Sequence, residues 1–144
     1  MIEAWAPSAA ACLEEAVTAF VDVFAEARPV VTGAPSAEGE PARAGPPAGA
    51  VPAQTAVPFD VGPGGLPDLL VLLLEEVLYL VEVVGRVPIA ADVAVHGDRL
   101  TGRFATVPAG SLVATGAVPK GVSYGDLEIG PVGEGWRCRA TVDV

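Results

Sequence analysis

The feature that most constrains the fold is the apolar run from Asp68 to Arg86, which reads D-L-L-V-L-L-L-E-E-V-L-Y-L-V-E-V-V-G-R. Its main polar residues recur at intervals of seven, four, three and four, and they are Asp68, Glu75, Tyr79, Glu82 and Arg86. These intervals predict a helix with one polar side, on which Glu82 and Arg86 are spaced for an ion pair. Pro67 favours the start of this helix and Gly85 its end. Because nearly all other positions are Leu or Val, we expect this helix to be covered by a sheet at the centre of the core.

A membrane span is the alternative interpretation of the stretch from Leu69 to Val84. The run is shorter than the ~20 apolar residues that cross a bilayer, and Glu residues interrupt it, so we favour a core helix. The N-terminus shows no charged-then-apolar leader and no lipidation motif, which favours a cytoplasmic location. We therefore expect no contact with a membrane.

Length and charge limit the classes of protein to which the chain can belong. Its 144 residues suffice for a single domain with a substantial core. Eight basic and eighteen acidic residues give a net charge of −10, which disfavours direct binding to nucleic acid because phosphate neutralisation needs clustered Lys and Arg. Cys12 and Cys138 have neither metal nor redox spacing, so we expect both to be small buried residues in a reducing compartment.

The N-terminal part of the sequence predicts a strand and an amphipathic helix. Residues from Met1 to Trp5 alternate as in a strand, and Ser8 is placed to cap a helix that ends near Arg28-Pro29. The expected buried stripe of this helix consists of Leu13, Ala16, Val17, Phe20 and Phe24. From about residue 29 to 54, Ala, Gly and Pro dominate without an aromatic residue, so we interpret this segment as a flexible surface insertion in a single domain that spans residues 1–144.

The rest of the chain carries a series of strand patterns. They lie at Thr55 to Val61, Ile89 to His96, Arg99 to Val107, Leu127 to Ile129 and Trp136 to Val144. Pro58 favours an edge position for the first strand, and Gly97-Asp98 predicts a hairpin between the second and the third. The last strand alternates strictly, which places Asp143 on its polar face. The complete pattern predicts an α+β fold, a mostly antiparallel sheet with two helices packed on one face.

No catalytic motif is present in the sequence: a nucleophile elbow, a Walker loop, a dinucleotide-binding glycine pattern and zinc-ligand spacing are all absent. Gly62-Pro63-Gly64-Gly65 precedes a helix, but it lacks the Lys and Ser/Thr of a P-loop, so we interpret it as a connector. His96 is the only histidine and lies beside the predicted hairpin turn, where solvent contact is more plausible than acid–base work. The residues therefore favour a protein that is not an enzyme.

Four segments of the chain together resemble the archease family. Two lie in the last quarter, P-K-G-V-S-Y-G-D-L-E-I from Pro119 to Ile129 and G-W-R-C-R-A-T-V-D-V from Gly135 to Val144. The others are the helix that begins P-D-L-L and the N-terminal segment I-E-A-W-A-P-S-A-A-A-C-L-E-E-A. The resemblance covers nearly all of the chain outside Pro29 to Gln54, and it rests on the order and spacing of the four segments. It implies an archease-like fold.

The resemblance also implies an accessory function. Archeases assist the RtcB-type RNA ligase that seals tRNA halves in tRNA splicing and RNA repair; they promote guanylylation of the ligase and so give it multiple turnover. Lys120 matches the lysine of the family, and we expect Lys120, Ser123 and Tyr124 to contact the ligase. Asp143 and Val144 match two of the family's ligands for a divalent cation, usually Ca²⁺. From the residues alone, Asp143 is a solvated acid and Tyr124 packs against the sheet from a loop.

The chain departs from the family pattern at the metal site and beside it. The family's N-terminal Asp ligand would precede Ile2 and is not in this sequence, and Gly125 stands where the family has His. Two explanations stay open: the natural protein begins further upstream, or metal-dependent activation has been lost. Since one carboxylate supplies few oxygens, we expect weak binding of Ca²⁺. The alternative functions are a chaperone-like protein-binding module that has lost the metal site, and an unrecognised enzyme with a cleft of perturbed carboxylates.

Overall fold

The computed structural model describes residues 1–29 and 54–143. The predicted insertion at about 29–54 therefore falls almost entirely outside the described residues. Within the described ranges the chain forms two α-helices and eight strands, and every strand pairing is antiparallel. This content confirms the predicted α+β class.

Strand β1 (Ile2–Ala6) and helix α1 (Ala9–Asp22) confirm the elements predicted at the N-terminus. Ser8 caps the helix, since its Oγ accepts a hydrogen bond from the backbone N–H of Ala11 at 3.1 Å. The predicted apolar stripe is buried, namely Leu13, Ala16, Val17, Phe20 and Phe24. The predicted helix end near Arg28-Pro29 is wrong. The chain leaves the helix after Asp22 because it continues as strand β2 (Ala25–Pro29), which pairs with residues around Leu112.

Helix α2 (Leu66–Tyr79) is the central helix expected from the apolar run. A π-helical turn (Leu80–Val84) extends it, and Gly85 ends it in the left-handed conformation with φ of 79°. The helix buries Leu69, Leu70, Val71, Leu73, Leu74, Val77 and Leu78, while Asp68, Glu75, Tyr79 and Glu82 are exposed as predicted. Among the residues that the structure describes, no helix has both the length and the apolar content needed to cross a bilayer.

Arg86 is the member of the predicted polar stripe that does not belong to the helix. It begins strand β4 (Arg86–His96), because Gly85 has already turned the chain out of the helical path. The guanidinium of Arg86 donates to the hydroxyl of Thr106 at 2.8 Å and to the carbonyl oxygen of Thr106 at 2.9 Å. This side chain therefore contacts the neighbouring strand, where it supplies hydrogen-bond donors to the oxygen atoms of the fully buried Thr106.

Strand β3 (Thr55–Val61) and strand β5 (Arg99–Pro108) complete the first three-stranded sheet, whose order is β3-β5-β4. The hairpin predicted at Gly97-Asp98 connects β4 and β5, and β3 is an edge strand as Pro58 predicted. Phe59 and Phe104 stack across the pair β3–β5 with ring centroids 4.6 Å apart. The sheet is thus held on its buried face by aromatic contact.

The C-terminal part forms two further sheets. Strand β6 (Leu112–Ala114) follows a short 3₁₀ turn and pairs with β2. Strand β7 (Gly121–Val132) is much longer than the predicted strand at Leu127 to Ile129, and it joins strand β8 (Gly135–Asp143) in the sheet β1-β8-β7. The predicted alternation of the last strand is confirmed, since Cys138 and Ala140 are buried.

Both helices contact both three-stranded sheets, so the core lies where the four surfaces meet. Helix α1 packs on β1, β8 and β4, and helix α2 packs on β7, β3 and β5. Glu14 of α1 also accepts a hydrogen bond at 2.8 Å from the backbone N–H of Val93 on the free edge of β4. The helix thereby covers a strand edge that would otherwise expose unpaired backbone groups. The antiparallel strands are divided among three sheets around the helices.

The two cysteines are buried in this core, as their apolar surroundings in the sequence predicted, and the structure brings them together. Cys12 and Cys138 are both free and buried. The Cys138 thiol donates to the carbonyl oxygen of Cys12 at 3.7 Å, and the Cys12 thiol donates to the carbonyl oxygen of Ala4 at 3.5 Å. Burial raises the pKa of both thiols, and the mutual contact raises that of Cys138 further. They join α1 to the strand pair β1–β8 as small core residues.

Candidate functional site at the paired ends of the last two strands

The first residues of β7 and the last residue of β8 meet at one end of the sheet β1-β8-β7. Gly121 lies opposite Asp143 in the pairing of these strands. The backbone N–H of Lys120 donates to the carbonyl oxygen of Asp143. Two residues singled out in the sequence, Lys120 and Asp143, are therefore brought together by the backbone. Val144, the other predicted metal ligand, lies outside the described residues.

The side chains at this strand end are open to solvent. Lys120 and Asp143 are both exposed, and Ser123, which lies opposite Thr141, is half-buried. The Lys120 ammonium and the Asp143 carboxylate offer one basic and one acidic group to a docking partner. This arrangement suits recognition, since acid–base catalysis needs titratable groups held in a cleft.

A bulge in β7 directly follows the half-buried serine. The pairing moves from Ser123 opposite Thr141 to Glu128 opposite Arg139, so β7 advances five residues while β8 advances two. The Ser123 hydroxyl accepts a hydrogen bond from the backbone N–H of Gly125 at 3.1 Å, which fixes the start of the bulge. Extra residues on one strand bend it and redirect its side chains, and bulges are frequent beside functional sites.

Tyr124 is carried outward by this bulge. Its side chain is 60% exposed, so the expectation that it packs against the sheet is wrong. The physical reason is that residues 124–127 are looped out of regular pairing with β8. The sequence offered one local signal for this feature, a Ser followed two residues later by Gly, which is typical of side chain to backbone turns. Tyr124 thus lies on the same segment as Lys120, with its ring in solvent.

The described residues supply little for a metal ion at this site. In residues 1–29 and 54–143 there is no group of three or more His, Cys, Asp or Glu side chains that could hold one. Asp143 contributes one carboxylate and one backbone carbonyl oxygen, and that oxygen already accepts a hydrogen bond from Lys120. Ca²⁺ takes six to eight oxygen ligands. The described residues therefore do not form a calcium site by themselves.

The other candidates from the sequence have structural roles. The backbone N–H of Gly64 donates to the carbonyl oxygen of Asp98 at 3.0 Å, and a Cβ on Gly62 would approach that same oxygen to 2.7 Å. The Gly-Pro loop is thus packed against the β4–β5 turn as a connector. His96 is exposed at this hairpin, with its Nε2 3.0 Å from the hydroxyl of Thr101. Its ring is held across the hairpin, on the surface.

Comparisons with known proteins agree with the resemblance seen in the sequence. A model of the Archease protein family matches residues 47–144, which include the strand end with Lys120 and Asp143. Two curated proteins of Mycobacterium tuberculosis, from strains CDC 1551 / Oshkosh and ATCC 25618 / H37Rv, are each named "Probable protein archease". Each is 36% identical over 143 residues, which is 99% of this chain and 68% of the relative.

Proposed function

Because this chain belongs to the archease family, a family of accessory proteins, we propose that it activates an RtcB-type RNA ligase. In this proposal it promotes guanylylation of the ligase and thereby gives the ligase multiple turnover in tRNA splicing or RNA repair. The observation that carries the proposal is the pairing of Lys120 with Asp143 at an exposed strand end. We place this activity in the cytoplasm.

The strand end supports docking to the ligase through charge. Lys120 offers an ammonium that pairs with a carboxylate or phosphate, and Asp143 offers a carboxylate that accepts from Arg, Lys or His. Tyr124 adds an exposed aromatic ring, a residue type enriched at binding hot spots. The strand pairing β7–β8 and the backbone hydrogen bond from Lys120 to Asp143 fix the backbones of these two residues relative to each other, and the bulge after Ser123 carries Tyr124 beside them.

Overall charge supports an encounter with an RNA-binding enzyme. The chain carries a net charge of −10, and a ligase that binds RNA presents basic surface for the phosphates. Complementary charges accelerate diffusional encounter. The same charge opposes independent RNA binding by this chain, so in our proposal the RNA is bound by the ligase alone.

A protein-binding module without a metal-dependent role is the second candidate function. One observation favours it: among the described residues, Asp143 does not belong to a group of three or more side chains that could bind a metal ion. In that case the strand end binds a partner protein and has no effect on guanylylation. An assay of ligase activation separates the two candidates.

The assay measures multiple-turnover RNA joining by an RtcB-type ligase, together with the fraction of ligase that carries the guanylyl group. We expect this chain to raise both quantities. Asp143→Asn and Lys120→Gln remove one charge each while keeping the backbone hydrogen bond between these positions, so we expect them to fold normally and to activate at least about tenfold less. Asp98→Asn, in the exposed β4–β5 turn, is the control and should activate like the unchanged chain.

The proposal fails if the unchanged chain leaves the ligase at single turnover. If it binds the ligase in a pull-down without raising guanylylation, the protein-binding module takes its place. If activation is full but insensitive to both Asp143→Asn and Lys120→Gln, the ligase is activated through another surface, and the assignment of this strand end is wrong.

Weak binding of Ca²⁺ is a separate prediction for the same site. A single carboxylate gives too little charge and too few oxygens for tight binding. Calorimetric titration of this chain with Ca²⁺ should show no saturable heat at micromolar concentrations, and Asp143→Asn should give the same trace. Micromolar affinity that is lost in Asp143→Asn would contradict the prediction.

A further inference from the structure

The outward side of α2 and of the π-helical turn forms a surface that the proposed function does not use. We call it the α2 outer face and define it by Glu75, Tyr79, Glu82 and Val83. Their positions i, i+4, i+7 and i+8 place them on one side of the helix. All four are exposed, Tyr79 to 53% and Val83 to 66%. A large aromatic and a branched aliphatic side chain thus stand in solvent beside two carboxylates.

The α2 outer face is acidic, and Arg86, which follows Gly85, donates hydrogen bonds to Thr106 on β5. No basic residue occurs from Leu66 to Gly85, whereas acids occur at Asp68, Glu75, Glu76 and Glu82. Glu82 lies in the π-helical turn that ends the helix, and no basic residue lies in its last turn. The C-terminal end of a helix carries negative partial charge and is stabilised by cations. A cationic group of a partner would therefore be attracted to the carboxylates of this face.

Charge also decides which occupant fits this face. A second copy of the chain would present the same acids in a symmetric contact, and nucleic acid and anionic lipid would add further negative charge. The sequence of residues 30–53 contains two Glu and one Arg, so this segment is acidic as well. The exposed Tyr79 and Val83 can pack against apolar groups, and Glu75 and Glu82 can pair with Lys or Arg. A basic amphipathic protein segment meets both requirements.

We propose that the α2 outer face docks a basic amphipathic helix of a partner protein. An apolar side chain of that helix packs on Tyr79 and Val83, while flanking Lys or Arg residues pair with Glu75 and Glu82. The inference goes beyond the activation of a ligase, because the face shares no residue with the strand end of Lys120 and Asp143. It holds or fails whether or not the chain activates a ligase.

The test uses a synthetic 18-residue helix of Lys and Leu, with Leu at i, i+3, i+4 and i+7, as the probe. Binding to the full chain is measured by fluorescence anisotropy at physiological ionic strength, beside a scrambled peptide of the same composition. One variant removes the apolar anchors, Tyr79→Ser with Val83→Ser. Another reverses the charges, Glu75→Lys with Glu82→Lys. The matched control, Asp98→Lys with Glu134→Lys, makes the same change in net charge at two exposed hairpin turns.

We expect the amphipathic peptide to bind the unchanged chain more tightly than the scrambled one. Each face variant should weaken binding at least about tenfold, and the control should change it less than about threefold. All substituted side chains are exposed, so thermal unfolding should show that the variants fold.

Three results would overturn the proposal. Equal weakening of peptide binding in the charge-reversed variant, Glu75→Lys with Glu82→Lys, and in the control would show that the peptide responds only to net charge. Equal binding of the scrambled peptide would show that no helical apolar stripe is recognised. Binding that appears only after deletion of residues 31–51 would show that the chain's own segment occupies the face.

Discussion

Leu73 and Tyr79 differ by six positions on one helix, yet their environments are opposite. Leu73 is fully buried in the core, whereas Tyr79 is 53% exposed on the α2 outer face. Leu73→Asp should lower the free energy of unfolding by about 4 kcal/mol or more, since it buries a charge without a partner. Tyr79→Asp should lower it by less than about 1 kcal/mol, the cost of one more acid near the negative end of a helix.

Urea denaturation of the two variants measures these differences directly. Tyr79→Ser, which adds no charge, separates the helix-end effect from lost packing. Equal stability of Leu73→Asp and Tyr79→Asp would mean that the buried and exposed sides of α2 are assigned the wrong way round.

The two core thiols predict how stability changes at high pH. Burial raises the pKa of Cys12 and of Cys138 above the ordinary value of 9.0. The unfolded chain therefore releases these protons at lower pH than the folded chain, so the stability that the neutral thiols contribute is complete below pH 9.0 and is lost as the pH rises above it. The free energy of unfolding, measured with urea, should therefore decrease more steeply with rising pH above 9.0 for the unchanged chain than for the double variant Cys12→Ala with Cys138→Ala.

A second measurement addresses the same thiols. An aromatic disulfide reagent should leave both cysteines unmodified in the folded protein at pH 8 and react fully in urea, because the reactive thiolate is suppressed and the sulfurs are inaccessible. Rapid labelling of the folded chain would contradict their place in the core. Parallel pH profiles for the unchanged chain and the double variant would contradict the raised pKa.

Among the elements, the ones with local signals were predictable from the sequence. The apolar residues of α2 recur with the period of a helix, and those of β8 recur at every second position. Gly85 ends α2 through its left-handed backbone, and Ser8 begins α1 through its side chain. Strand β2 was not predictable in this way. Its residues extend a helical pattern, and they become a strand only because β6, distant in sequence, pairs with them.

The candidate site shows the same division. Reasoning from residue types alone left Lys120, Tyr124 and Asp143 as solvated or loosely packed side chains, and only the resemblance to a family singled them out. Their adjacency depends on the register of β7 against β8, which no short pattern encodes. The bulge after Ser123 is likewise a property of the strand pair, so the exposure of Tyr124 emerged from the structure.

Gly85 and Gly102 both have positive φ, but a Cβ would clash with a neighbouring strand only at Gly102. Gly85 ends the helix with φ of 79°, and a Cβ there would meet nothing within 4 Å. Gly102, in the middle strand of its sheet, has φ of 156°, and a Cβ there would overlap the carbonyl oxygen of Asp92. Gly85→Ala should therefore cost only the conformational term of about 1 kcal/mol. Gly102→Ala should cost about 3 kcal/mol, since the strand pair must also separate.

Thermal unfolding of the two alanine variants measures the difference between these glycines. Gly110→Ala, where φ lies outside the left-handed region and a Cβ meets nothing within 4 Å, is the control and should be nearly neutral. A greater loss in Gly85→Ala than in Gly102→Ala would show that close approach between β4 and β5 does not limit the sheet.

At the scale of the whole molecule, the core is assembled from both sides of the Ala/Gly/Pro-rich segment. Helix α1 and strands β1 and β2 precede that segment, whereas helix α2 and strands β3 to β8 follow it. Both helices contact both three-stranded sheets. The contacts that join the two parts include the bond from Val93 to Glu14 and the pairing of β1 with β8. Neither part is expected to fold without the other, because each would expose the apolar side of its helix.

Deletion of Val31 to Val51 tests this view of the whole chain. The segment contains no aromatic residue and no periodic apolar pattern, and the core formed by the described residues is already continuous across the two parts. We expect the deleted chain to unfold cooperatively in urea, with a midpoint within about 0.5 M of the unchanged chain, since shortening a loop mainly changes its closure entropy. A variant in which Gly and Ser replace the segment at equal length separates a strained connection from lost contacts. If both variants unfold without cooperativity, side chains of this segment belong to the core and the single domain depends on them.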